Sequence, residues 1–194
     1  ARQAQAHLAL GEYQKAIEFG QKMVEAGFEL SEYSNMPVMY LLSTRVAHIM
    51  NKMTCRDNKE PKISMINRLD DLITDLEKIP LPPFTFDHEK KKYHERLPAA
   101  KRFILERKLN EFFDGAESSM GIITHGMIYN SLMRCLYNLG EASLYGECRV
   151  PILNLNVTNP LVPEEIILFL RDKKAVLIVE EGMPNLMVEQ IRAI

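Results

Sequence analysis

The sequence predicts an α/β fold: a parallel sheet of βαβ units preceded by a helical connector. Two observations carry this. Over residues 120–194 the hydrophobic pattern reads strand, helix, strand, helix, strand, helix. Strands separated by helices of about 10–15 residues are the signature of parallel pairing. In addition, the stretch Val176-Leu177-Ile178-Val179 is apolar without alternation, which predicts a strand covered by helices on both faces.

Taken in order, residues 1–10 are Ala-rich and apolar and place no element. Residues 11–35 predict a helix, with Ile17, Met23, Val24, Phe28 and Leu30 at helical spacing and Asn35 as its stop. Pro37 cannot continue a helix but is tolerated at the first position of a strand, so residues 37–42 predict a strand. Residues 51–61 are polar and read as a boundary. Residues 64–79 predict an amphipathic helix with Ile66, Leu69, Leu72, Ile73 and Leu76 on one face and Ser64 as N-cap. The run Pro80-Leu81-Pro82-Pro83 ends it as a stiff linker. A charged helical segment begins at Asp87, Pro98 interrupts it, and residues 99–113 resume as a helix with Phe103, Ile104, Leu109, Phe112 and Phe113 inward.

The sheet then begins. Met120 to Thr124 predicts the first strand, residues 127–139 a helix, residues 150–155 the second strand and residues 163–171 a helix. Residues 175–179 give the third strand, and a last helix runs toward Ile194. Connections of this length exclude hairpins and fit right-handed crossovers. The three strand ends are expected at one carboxyl edge, with the first strand between the other two.

Composition removes several function classes. A net charge of −2 and a pI near 6.3 leave no electrostatic footprint for nucleic acid. No apolar run is long enough to span a membrane, and no signal peptide is visible at the N-terminus. The scattered cysteines Cys55, Cys135 and Cys148 fit a reducing, cytoplasmic setting and give no zinc or iron–sulfur spacing. The start at Ala1 without Met and the stop inside a helical pattern read as a fragment.

Few residues invite chemistry. Arg45 and His48 follow the strand at residues 37–42, where α/β proteins place ligand contacts. One Arg and one His do not make a site, so the plainer reading is an anchor between domains. Thr124-His125-Gly126 sits at a strand end and opens a helix, a place that favours an anion. Neither G-x-G-x-x-G nor a Walker pattern occurs there. Glu180 and Glu181 end the third strand. Adjacent on a strand, they point to opposite faces, so one is expected to cap the next helix or pair across an interface. Asn154 and Asn156 read as polar edge residues. The candidate set for an interface or cofactor-facing side is therefore Arg45, His48, Thr124, His125, Gly126, Glu180 and Glu181. No catalytic, cofactor-binding or metal-ligating residue is identified.

Several segments, in this order, resemble the α subunit of indolepyruvate ferredoxin oxidoreductases. Gly121-Ile122-Ile123-Thr124-His125-Gly126 with Tyr129-Asn130 matches that family's segment, as do Asn159-Pro160-Leu161-Val162-Pro163 and Val179-Glu180-Glu181. Thr44-Arg45-Val46-Ala47-His48 is similar to the end of its first domain, and Leu97-Pro98-Ala99-Ala100 to its connector. The family's Arg is absent at Tyr40-Leu41-Leu42, and residues 55–83 resemble an insertion.

The resemblance implies a fragment of a thiamine-diphosphate enzyme that oxidatively decarboxylates indolepyruvate or other aryl-pyruvates to the acyl-CoA and passes electrons to ferredoxin. It implies that residues 1–50 are the tail of a pyrimidine-binding-like α/β domain. Residues 51–118 would be the helical connector with its insertion, and residues 119–194 a domain like the C-terminal domain of transketolase. The parent's thiamine diphosphate, magnesium and 4Fe-4S clusters would bind outside this chain, which would serve as scaffold and interface. Its partners would be other domains of the same subunit, a β subunit, ferredoxin and CoA. A non-catalytic interaction module of the same fold, assembling a complex, is the alternative. A small nucleotide-binding domain is a weaker third.

Overall fold

The computed structural model describes residues 13–41, 81–143, 146–182 and 184–194. The predicted helix at residues 64–79 and the pair Arg45 and His48 lie outside the described residues.

Helix α1 (Tyr13–Ser34) ends where Asn35 turns left-handed with φ 52°, as the sequence predicts. The Ser34 hydroxyl donates to the Leu30 carbonyl at 2.6 Å and tightens the last turn. Residues 37–41 then form no regular element and join no ladder. The strand predicted there is not formed, because no described segment offers its backbone a partner.

Helix α2 (Phe84–Lys91) passes through a π-helical turn (Lys92–Arg96) into α3 (Leu97–Arg107). The break predicted at Pro98 does not occur. Pro98 falls in the first turn of α3. The wider turn before it is closed by the Leu97 N–H donating to the Lys92 carbonyl. That widening shifts the preceding carbonyls away from the proline ring, which relieves the usual clash. Leu30 of α1 packs on Ala100 and Phe103 of α3, with the Tyr33 and Phe103 rings 5.3 Å apart. The exposed Arg107–Glu29 pair at 2.8 Å adds at most about 1 kcal/mol.

Lys108, left-handed at φ 50°, stops α3, and Glu111–Phe113 form strand β1. The helix predicted through residue 113 is therefore too long. On a strand, adjacent Phe112 and Phe113 point to opposite faces. Phe113 stacks on Tyr129 at 5.1 Å, and Phe112 lies 6.3 Å from Phe169.

The remaining elements follow the predicted order: β2 (Met120–His125), α4 (Ile128–Asn138), β3 (Ile152–Leu155), α5 (Pro163–Leu170), β4 (Ala175–Val179) and α6 (Leu186–Arg192). The sheet order is β1-β3-β2-β4. β2 pairs parallel with both β3 and β4, and β1 pairs antiparallel with β3. The parallel unit matches the expectation; the antiparallel β1 is an addition to it.

Each face of the sheet carries its own core. On one, Phe113, Ile122 and Ile152 pack under Tyr129 and Met133 of α4. On the other, Ile123, Leu153 and Leu155 pack under Ile166 and Phe169 of α5 and Met187 and Ile191 of α6. Ile123, Leu153 and Ile166 are wholly inaccessible, each burial being worth about 1.5–3 kcal/mol. Gly121 lets α5 approach β2: a Cβ there would stand 2.9 Å from the Phe169 ring and against the Lys173 side chain. One prediction fails on β4, which ends the sheet. Val179 packs on the α4 core but Leu177 on the same face is 58% exposed, so that face is covered only in part.

The turn before β1 is pinned by Asn110. Its Nδ2 donates to Glu165 Oε2 at 2.6 Å, and its Oδ1 accepts the Val157 N–H at 3.0 Å. Burial raises the Glu165 pKa above 4.5, the Asn110 hydrogen bond opposes this, and neighbouring Glu164 adds to the rise. The neutral form is thus favoured in the fold. The resulting stabilisation is complete below the unfolded value and is lost as pH rises through the raised folded one. Glu165→Gln stays neutral and keeps an oxygen for Asn110. Its urea midpoint is expected above the parent's at pH 7 and equal to it near pH 4, and equal midpoints at pH 7 would contradict the raised value.

Candidate functional site

Parallel pairing brings the strand ends together. Thr124 stands opposite Asn154 on one side and Val179 on the other. Thr124, Asn156 and Glu180 therefore share one carboxyl edge, with His125 and Gly126 opening the turn into α4. The Gly126 N–H donates to the Leu155 carbonyl at 3.1 Å and prolongs the β2–β3 ladder. Gly126 then turns at φ 46°, a left-handed conformation that glycine adopts without a Cβ penalty.

After β2 the chain leaves toward α4 on one face, and after β4 toward α6 on the other. Diverging connections of this kind open a crevice at the carboxyl ends, the usual ligand position in α/β sheets. Here the crevice is bridged. His125 Nε2 accepts the Glu181 backbone N–H at 3.1 Å. Its basic lone pair is occupied by main chain.

Glu180 is also engaged. Its two carboxylate oxygens accept the Met187 and Val188 N–H groups at 2.8 and 3.1 Å. The side chain of Asn185, at the N-cap of α6, makes no capping bond. A carboxylate from β4's end thus satisfies two otherwise open donors and complements the helix dipole. This is the capping role that the sequence leaves open for one of the two glutamates. Glu181 is exposed.

On the α4 face the edge is held by amides. Asn154 Nδ2 donates to Asn156 Oδ1 at 3.1 Å and reaches Glu111 Oε2 at 3.5 Å. Asn156 Nδ2 donates to the Leu109 carbonyl at 2.8 Å and to Glu111 Oε2 at 3.1 Å. Asn110, Glu111 and Glu165 in this cluster are not found by sequence reasoning. Their signal was a polar pair, Asn110-Glu111, directly before two phenylalanines, which marks a strand entry rather than a helix. Thr124 Oγ1 and Asn154 Oδ1 are buried without a hydrogen-bond partner among the described residues. They lie on the same face of neighbouring strands, a hydroxyl beside an amide oxygen, chemically complementary but closed to solvent.

The arrangement offers little catalysis. The imidazole lone pair and both Glu180 oxygens are spent on backbone, and the two carboxylates oppose an anion. Among the described residues no three His, Cys, Asp or Glu side chains converge as metal ligands. A recess of about 330 Å³ beside α2 is lined by none of the edge residues.

Two curated proteins align with most of this chain. Subunit IorA of the indolepyruvate oxidoreductase of Methanothermobacter thermautotrophicus is 27% identical over 173 residues, covering 88% of this chain and 25% of that protein. Subunit IorA of Methanothermobacter marburgensis is 27% identical over 168 residues, covering 86% and 25%. The chain is similar to a quarter of an indolepyruvate oxidoreductase subunit. It spans about a quarter of the length of these curated relatives. No family model matches it, and no solved structure does.

The cap makes a direct expectation. Glu180→Ala leaves two N–H groups of α6 without their acceptor, a loss of about 0.5–2 kcal/mol by analogy with N-cap deletions. Urea unfolding reads it, and unchanged stability would show that the carboxylate does not cap α6.

Proposed function

We propose that this chain is an internal part of the α subunit of a 2-oxoacid:ferredoxin oxidoreductase acting on indolepyruvate or other aryl-pyruvates, and that it provides scaffold and interface. The parent enzyme would carry out oxidative decarboxylation to the acyl-CoA with thiamine diphosphate, magnesium and 4Fe-4S clusters bound elsewhere. Electrons would pass to ferredoxin, and a β subunit would complete the assembly.

Two lines support this. The alignment runs through nearly the whole chain, and the relatives are named for indolepyruvate, as is the family that the ordered segments resemble. The observation that carries the scaffold role is the bridged carboxyl edge: His125 and Glu180 both serve main chain. A site that spends its titratable groups in this way holds elements together rather than turning over substrate.

In this proposal residues 1–50 close a pyrimidine-binding-like domain, residues 51–118 connect, and residues 119–194 form the transketolase-C-terminal-like domain. His125, Gly126, Glu180 and Glu181 face a neighbouring domain, whereas Thr124 is fully buried inside this one. Arg45 and His48 face the cofactor-bearing side.

This chain alone is expected to bind no thiamine diphosphate with magnesium in calorimetry. Saturable micromolar binding would contradict the scaffold role. In the full subunit with its partner, Arg45→Ala is expected to lower kcat/KM about tenfold or more, as loss of a charge-assisted contact does, with circular dichroism unchanged. Unaltered kinetics would remove Arg45 from the cofactor-bearing side.

A further inference from the structure

We draw no further inference here: the strongest candidate, the side-chain cluster of the Thr124 hydroxyl and the Asn154 amide oxygen at the ends of β2 and β3 beside the uncapped N-terminus of α4, belongs to the carboxyl edge already described and is closed to solvent, so nothing in the structure shows a ligand reaching it.

Discussion

The position of β2 governs the sheet. It lies between β3 and β4, parallel to both, so its buried backbone must be satisfied on two sides. That demand accounts for its composition. Ile122 and Ile123 point into different cores and are both buried, and Gly121 has no side chain because the Phe169 ring occupies that space. It also accounts for the edge. With partners on both sides, the end of β2 is flanked by the ends of β3 and β4, and connections diverging to opposite faces leave a crevice there. The His125 bond to the Glu181 backbone crosses that crevice.

Much of this was legible in the sequence because the signals were local. Helices between strands, the length of each connection and the apolar run at residues 175–179 follow from short windows. The right-handed rule then gives the shared edge. The failures came where the deciding partner was distant. The Phe112-Phe113 pair looked helical because two aromatics after a helix resemble its continuation, whereas β3 some forty residues later recruits them as a strand. Pro98 looked like a break because nothing in its neighbourhood announces a π-helical turn. Residues 37–41 carry strand composition, yet without a ladder partner they form no strand. The apolar run of β4 predicts two-sided burial, but no described helix covers Leu177.

The site was legible in position and less so in role. Thr124, His125, Gly126 and Glu180 were placed at the edge from sequence, and the structure brings them there. Their hydrogen bonds depend on single rotamers, which no spacing rule reports. Glu180 illustrates this. A carboxylate at a strand end reads equally as acid, ligand or cap, and only its geometry against the N–H groups of Met187 and Val188 selects the cap.

The proposed function makes this chain a supporting segment whose chemistry the rest of its subunit performs. The most direct test of that claim is an assay of the full-length α subunit assembled with its β subunit. The account predicts that indolepyruvate or another aryl-pyruvate, with CoA and thiamine diphosphate, drives reduction of ferredoxin by the complex. A cofactor-loaded complex that reduces no ferredoxin with any 2-oxoacid would contradict it.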